Sequence, residues 1–202
     1  MAAPDLAGLL REGVRGRRVF VRADLNVPLA DGRIRDDTRI RRSLPTLRRL
    51  LAGGARVVLA SHLGRPNGER RPEFSLRPLA PRLAELLGRG VSFCEDCVGE
   101  LPQAAVKELT DGQLVLLENL RFHGGETEND PDFSRALADL ADVYVNDAFG
   151  TAHRAHASTV GVAEYLPRRA AGDLMTGELQ PSRKAPICSL DSFPSNESSR
   201  II

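Results

Sequence analysis

Short apolar runs alternate along the chain with longer segments whose apolar residues recur every three or four positions. The short runs are rich in β-branched and aromatic residues, which is typical of buried strands, whereas the longer segments have the periodicity of amphipathic helices. Strands are predicted at residues 19–21, 56–60, 91–93, 114–117 and 143–145, and helices at residues 38–51, 75–87, 101–109 and 130–141. This alternation predicts an α/β fold, in which an open parallel sheet carries helices on both faces.

Turn formers interrupt this pattern at two informative places. Residues 30–33, Ala-Asp-Gly-Arg, predict a small hairpin that projects from the edge of the sheet. Near Gly172 the periodicity ends, and from Gln180 onward Ser, Pro, Arg and Asn dominate without regular apolar spacing. Residues 1–172 are therefore predicted to form one α/β domain, and residues 173–202 a divergent, poorly ordered tail.

Composition and charge narrow the classes of function. The 202 residues include 28 basic and 27 acidic side chains. This balance gives no global field that would attract nucleic acid or an anionic membrane. No apolar run has the length of a membrane span, and the N-terminus lacks the pattern of a signal peptide. We therefore expect a cytoplasmic protein that binds neither nucleic acid nor membrane.

The number and spacing of the cysteines predict reduced thiols rather than disulfides. Cys94, Cys97 and Cys188 are an odd set without the spacing of a disulfide framework, which is typical of cytosolic proteins. Cys94 and Cys97 form a C-x-x-C, but no second ligand pair accompanies it. Structural or incidental thiols are accordingly favoured over zinc or redox chemistry.

Polar clusters follow four of the predicted strands. The clusters are Asp24 with Asn26, His62 with Arg65, Arg121 after Asn119, and Asp147 with His153 and Arg154. Because ligands of open α/β sheets bind outside the carboxyl ends of the strands, one sheet edge is expected to collect these side chains. Arg39 joins them from the first turn of the helix after the hairpin, where free backbone N–H groups favour an anion.

Several arginines, a histidine and two short polar side chains around one crevice suit a small phosphorylated acid, since guanidinium groups match carboxylate and phosphate bidentately. Taken singly, each residue has a simpler explanation. Asp24 and Asn26 are common turn formers, a lone His62 is more often a hydrogen-bonded loop residue, and single arginines are usually solvated. Their shared location favours the anion site.

Other segments are assigned no such role. The acidic run at residues 126–130 is interpreted as a solvated loop and helix start. Neither G-x-x-x-x-G-K-[ST] nor G-x-G-x-x-G occurs, so the sequence shows no familiar loop that cradles a nucleotide. No metal ligands are predicted either.

Four motifs, in order and at family spacing, resemble phosphoglycerate kinase. They are RVFVRADLNVP at residues 18–28, SHLGRP at 61–66, LENLRF at 117–122 and VNDAFGTAHRAH at 145–156. The resemblance extends from about Val14 to Leu179. It implies the Rossmann-like N-terminal domain of that family, which holds the phosphoglycerate.

The resemblance implies phosphoryl transfer between 1,3-bisphosphoglycerate and ADP, giving 3-phosphoglycerate and ATP, with magnesium carried by the nucleotide. The substrate-binding residues that it implies are Asp24, Asn26, Arg39, His62, Arg65, Arg121 and Arg154. Arg39 would also stabilise charge on the transferred phosphoryl group, which makes it the implied catalytic residue. No covalent nucleophile is required.

The chain departs from the family pattern at its end. In the family, a hinge leads to a second α/β domain with a glycine- and lysine-containing nucleotide site, whereas residues 181–202 match nothing expected there. We therefore expect a monomer that carries the phosphoglycerate half, without a nucleotide site of its own and inactive as an isolated chain. The alternative is a non-catalytic module that binds another phosphorylated metabolite or has a regulatory role.

Overall fold

A six-stranded parallel sheet forms the centre of the molecule. The computed structural model describes residues 4–151 and 155–179. The strands are β1 (Arg18–Ala23), β2 (Leu29–Ala30), β3 (Arg33–Ile34), β4 (Arg56–Ala60), β5 (Ser92–Phe93), β6 (Leu114–Leu116), β7 (Val143–Asp147) and β8 (Arg169–Ala171). The sheet has the order β5-β6-β4-β1-β7-β8, and β2 and β3 form the separate antiparallel hairpin.

Strand β1 lies in the middle of this sheet. It pairs with β4 on one side and with β7 on the other, both in parallel. After β1, the next strand of the sheet, β4, is added on one side. After β7, the next strand, β8, is added on the other side. The carboxyl ends of β1 and β7 therefore flank the point where the strand order reverses, which is the usual ligand position in such sheets.

Helices cover both faces, as the alternation predicted. They are α1 (Leu6–Glu12), α2 (Thr38–Ala52), α3 (Leu79–Leu87), α4 (Glu100–Glu108), α5 (Gly125–Glu128), α6 (Pro131–Ala138), α7 (Val162–Tyr165) and α8 (Asp173–Leu179). Val19 and Val21 of β1 pack into one core with α1, α2 and α3, while Phe20 packs into a second core with α4, α6 and α7. Because successive side chains of a strand point to opposite faces, one apolar run serves both cores.

Element boundaries differ from the predictions in explicable ways. The helix predicted from Ser75 begins at Leu79, because the Ser75 hydroxyl and the Leu76 backbone N–H both donate to the Glu118 carboxylate. These bonds hold the two residues in the loop before α3. The hairpin is confirmed, with Ala30 paired to Arg33.

The predicted tail begins with ordered structure, which corrects part of that prediction. Residues 173–179 form α8 rather than a poorly ordered segment. The backbone N–H of Asp173 donates to the Thr46 hydroxyl at 2.9 Å, and the Asp173 side chain forms an ion pair with Arg49. Because Thr46 and Arg49 lie on α2, these contacts hold α8 against α2. Residues 180–202 lie outside the described residues. Among the described helices, none has the length and apolar character needed to cross a membrane.

Removing a core side chain from β4 tests the core that this strand forms with α1, α2 and α3. Leu59 is fully buried, and Leu59→Ala is expected to lower the free energy of unfolding by about 2–5 kcal/mol through lost burial and a residual cavity. Leu101 on α4 is 61% exposed, so Leu101→Ala is the matched control and should change it by less than about 0.5 kcal/mol. Urea denaturation measures both, and equal effects would contradict the assigned core.

Candidate functional site

A crevice of about 240 Å³ opens at the carboxyl ends of the central strands. We call it the strand-end crevice. Its lining consists of Asp24, Asn26, Arg39, His62, Gly64, Arg65, Arg121 and Gly150. Six of the seven predicted site residues therefore lie together. Arg154, the seventh, lies outside the described residues, as does His153.

Asp24 and Asn26 follow directly after β1 and do more than form a turn. The Asp24 carboxylate accepts from the Asn26 backbone N–H at 3.3 Å and forms an ion pair with the Arg39 guanidinium. The Asn26 side-chain oxygen accepts from the Gly64 backbone N–H at 2.9 Å. These bonds join the loop after β1 to the start of α2 and to the loop after β4.

Buried side chains hold the neighbouring loops in register. The Ser61 hydroxyl donates to the Ala23 carbonyl at 2.8 Å and accepts from the Leu25 backbone N–H at 2.9 Å. Asn119 donates to the carbonyls of Leu63 and Phe74 at 2.8 and 2.9 Å, and its oxygen accepts from the Arg121 backbone N–H at 3.1 Å. The crevice is thus built on fixed loops.

Gly64 is required by close packing. Its φ is +62°, a left-handed conformation that favours glycine, and an added Cβ would lie 2.5 Å from the Phe74 ring. A side chain at this position would therefore displace Phe74 or the loop between β4 and α3.

Three arginines give the crevice its charge. Arg39 comes from the first turn of α2, and its side chain is 49% exposed. Arg65 is exposed, whereas Arg121 is buried and donates to the Gly64 carbonyl at 2.8 Å. Three guanidinium groups against the single carboxylate of Asp24 leave an excess of two positive charges, which suits a multiply charged anion.

His62 is held as a neutral imidazole by a fully buried arginine. Arg22 Nη2 lies 2.9 Å from His62 Nδ1. A guanidinium group has only donors, so Nδ1 must accept and the ring hydrogen must be on Nε2. Burial, together with the positive charges of Arg22 and Arg121, lowers the pKa of His62 to about 2. His62 is therefore a neutral hydrogen-bond donor.

A chain of hydrogen bonds behind His62 compensates the buried Arg22. Arg22 Nε donates to the Ser158 hydroxyl at 2.8 Å, and Ser158 donates to the Glu126 carboxylate from its hydroxyl at 2.6 Å and from its backbone N–H at 2.9 Å. Residues 157–161 form a π-helical turn that presents Ser158. Burial raises the pKa of Glu126, while the Arg22 charge and the Ser158 bonds oppose that rise.

The interpretation of residues 126–130 as a solvated loop was wrong for Glu126. This residue is fully buried in α5, because Ser158 and the Arg22 charge replace its water. The predicted helix start is confirmed at Asp130, whose carboxylate caps α6 by accepting from the Phe133 backbone N–H.

Asp147 does not line the strand-end crevice, although it was grouped with the strand-end residues. Its carboxylate accepts from the Leu174 backbone N–H at 3.0 Å and so binds the start of α8. Burial raises its pKa to about 7, and the Leu174 N–H only partly offsets this. Asp147 supports the fold beside the site.

Sequence reasoning missed Arg22, Ser158 and Glu126. One signal was present, since Arg22 is a charged residue inside the apolar run Val19–Ala23. Buried arginines need partners, so this position implied a distant acceptor. Ser158 and Glu126 could not be identified as that acceptor, because they lie more than one hundred residues along the chain.

Comparison with known proteins gives consistent results. Residues 10–187 match the model of the family described as phosphoglycerate kinase. The chain is 55% identical over 181 residues to the phosphoglycerate kinase of Acaryochloris marina, and 56% identical over 181 residues to the cytosolic phosphoglycerate kinase of Triticum aestivum. Each alignment covers 89% of this chain and 45% of the relative. The chain thus spans about half the length of these curated relatives.

Solved structures agree. The chain superimposes on the phosphoglycerate kinase of Coxiella burnetii with a TM-score of 0.75 and 42% identity, covering 83% of this chain and 41% of that one. It superimposes on the phosphoglycerate kinase of Pyrococcus horikoshii with a TM-score of 0.76 and 37% identity, covering 83% of this chain and 42% of that one. Fold and sequence therefore point to the same group of proteins.

The protonation state of His62 is directly measurable. The ring is expected to stay neutral from pH 8 to pH 5, with its hydrogen on Nε2, because Arg22 occupies Nδ1 and burial opposes a second charge. Nitrogen-15 NMR of the imidazole distinguishes both tautomers from the cation. In Arg22→Met the pKa of His62 should be higher than in the wild type, because the positive charge beside the ring is removed. A wild-type ring that protonates near pH 6, or that carries hydrogen on Nδ1, would refute this assignment.

Asp147 predicts a specific pH dependence of stability. Its pKa is about 7 in the folded state against 3.8 for the free side chain, so the folded protein binds more protons between these values. The contribution of protonated Asp147 to the free energy of unfolding is therefore complete below about pH 4, and it is lost as the pH rises through 7. Asp147→Asn, which keeps the acceptor for Leu174, should therefore gain stability relative to wild type between pH 5 and pH 8.

Urea denaturation at the two pH values measures this gain. Asp31→Asn is the control, because the Asp31 side chain is 91% exposed in the hairpin turn. If the stability difference between Asp147→Asn and wild type is the same at both pH values, the raised pKa is wrong.

Proposed function

Since the chain belongs to the phosphoglycerate kinase family, we propose that its strand-end crevice binds 3-phosphoglycerate and 1,3-bisphosphoglycerate during phosphoryl transfer with ADP and ATP. One observation carries this proposal. Three arginines, a neutral histidine donor, an aspartate and an asparagine line one crevice at the switch point of the sheet. This set matches a small molecule that bears a phosphate, a carboxylate and a hydroxyl group.

The proposed roles follow from the chemistry of each group. Arg39, Arg65 and Arg121 supply forked donors for phosphate and carboxylate oxygens. The Asp24 carboxylate accepts from a substrate hydroxyl, the Asn26 amide nitrogen donates to a substrate oxygen, and His62 donates from Nε2. Arg154, which the family resemblance places in the same set, is proposed as a further ligand.

Arg39 is proposed to act in catalysis as well as in binding. Its side chain is half exposed at the mouth of the crevice, beside Asp24. A positioned cation there stabilises negative charge on a phosphoryl group in transfer, and such positioning and electrostatics account for most of the catalysis in this reaction class.

Phosphoryl transfer needs a nucleotide opposite the crevice. The family resemblance places Mg-ADP and Mg-ATP in a second α/β domain, and the relatives extend well beyond the length matched here. We propose that the described residues supply the phosphoglycerate side only, and that a nucleotide-bearing domain must close over it before transfer occurs. The described residues by themselves are then expected to bind phosphoglycerate without turnover.

Two further assignments remain proposals. We propose that the protein works in the cytoplasm, which is supported by its similarity to the cytosolic phosphoglycerate kinase of Triticum aestivum. We also propose a monomer, since the balanced charge and the small polar ligand require no partner chain.

Titration calorimetry with 3-phosphoglycerate tests the binding role. Arg65→Met and Arg39→Met should each weaken binding by roughly ten- to a hundredfold, because each removes a charge-assisted hydrogen bond worth about 1.5–3 kcal/mol. Arg135→Met is the matched control. It removes an exposed guanidinium on α6, whose Cζ lies 5.2 Å from the centroid of the Tyr165 ring and which does not line the crevice.

Glycerol 3-phosphate, which lacks the carboxylate, distinguishes the alternatives. Much weaker binding of this ligand supports a phosphoglycerate site. Equal binding would indicate a general phosphate-ester module, and no binding of 3-phosphoglycerate at millimolar concentration would contradict the proposal.

A further inference from the structure

A second group of ligand-type side chains lies outside the strand-end crevice. Asp96, Cys97 and His123 each offer one donor atom, and these atoms all lie within 4.8 Å of one another. Asp96 and His123 have side chains that are 28% and 32% exposed, whereas Cys97 is fully buried. The group therefore has a buried sulfur and a solvent-facing side.

The fold brings these residues together from separate loops. Asp96 and Cys97 follow β5, and His123 follows β6, which is the neighbouring parallel strand. The Asp96 carboxylate accepts from the Cys97 backbone N–H at 2.7 Å and lies 2.7 Å from His123 Nε2. The His123 ring also packs on Phe133, with centroids 5.3 Å apart. These contacts hold both loops in place.

We propose that Asp96, Cys97 and His123 form a zinc-binding site, with solvent as the fourth ligand. Thiolate, imidazole and carboxylate are the three common protein ligands of Zn²⁺, and three of them with one open position make a four-coordinate site. The mixture of sulfur, nitrogen and oxygen donors favours Zn²⁺ over Mg²⁺ or Ca²⁺, which prefer oxygen alone.

The present spacing of the three donor atoms is near that of a zinc site. Zinc–ligand distances of about 2.0–2.3 Å require donor atoms roughly 3.3–3.8 Å apart. The ion would therefore enter between Asp96 and His123, widen their 2.7 Å contact, and draw in the Cys97 sulfur. The Cys97 thiol would release its proton to solvent, and His123 Nε2 would offer its lone pair, with the ring hydrogen on Nδ1.

The surrounding charges act in both directions. Burial raises the pKa of the Cys97 thiol, and the negative charges of Asp96, Glu126 and Glu118 add to this effect. The same charges favour a dication at that position. The positive charge of Arg70 opposes a dication there, since Arg70 Nη2 lies 3.4 Å from the Asp96 carboxylate. Solvent weakens this repulsion, because the Arg70 side chain is 52% exposed and stacks on the Phe122 ring. Removing Arg70 should therefore strengthen zinc binding.

The sequence concealed this site because its ligands are far apart. His123 lies 27 residues after Asp96, and the visible pattern was the pair Cys94 and Cys97. In the structure the second ligands come from Asp96 and His123, and Cys94 is not a member of the group. The proposal is independent of phosphoglycerate binding.

Cobalt and zinc titrations of the metal-free 202-residue chain, in a Cys188→Ser background, test the proposal. One equivalent of Co²⁺ should produce a thiolate-to-cobalt charge-transfer band, which Zn²⁺ then abolishes. Competition with a chromophoric chelator gives the zinc affinity. Cys97→Ser and His123→Gln should each weaken it at least tenfold, Cys94→Ser should leave it unchanged, and Arg70→Met should raise it severalfold.

Several results would overturn the site. They are the absence of a charge-transfer band, an unchanged zinc affinity in His123→Gln, and an equal loss in Cys94→Ser, which would indicate a C-x-x-C site instead. Because Cys97 is buried, Cys97→Ser is checked by circular dichroism. If it does not fold, the partly exposed Asp96→Asn and His123→Gln variants decide the outcome.

Discussion

The parallel pairing of β1 with β4 and β7 is the constraint on which the rest of the molecule depends. It fixes the register Val21 with Leu59 and with Val145, and so it aligns the carboxyl ends of three strands. The loops that follow β1 and β4 then meet, and Ser61 and Asn26 bond them to each other. Asp24, His62 and Gly150 follow these three strands, so this alignment brings them to one crevice although they are distant in sequence.

A buried positive charge makes the crevice chemically specific. Arg22 sits in β1 itself, fully buried, and its hydrogen bonds reach His62 on one side and Ser158 on the other. An unpaired charge at this depth would be very costly, so the carboxylate of Glu126 behind Ser158 is essential to the arrangement. The result is a histidine that donates without carrying charge, and the positive field of the crevice comes from its arginines.

Much of this could be predicted from the sequence, and the limits have physical reasons. The apolar run of β1, which packs on both faces of the sheet, and the polar residues after each strand are local signals. The α/β fold and six crevice residues could therefore be predicted from the sequence. Glu126 was misread because its burial depends on a hydrogen bond to Ser158, which is distant in sequence. Helix α8 was missed because its support comes from Thr46 and Asp147 rather than from its own periodicity.

Amide chemical-shift mapping with 3-phosphoglycerate tests the central claim most directly. If the crevice is the phosphoglycerate site, saturating ligand should shift the backbone amides of Asn26, Gly64 and Arg121 most strongly, and the His62 ring should keep its hydrogen on Nε2. Amides near Arg77 and Glu95, in the separate groove beside α3, should not move. Shifts confined to that groove, or no shifts at all with a folded protein, would contradict the account.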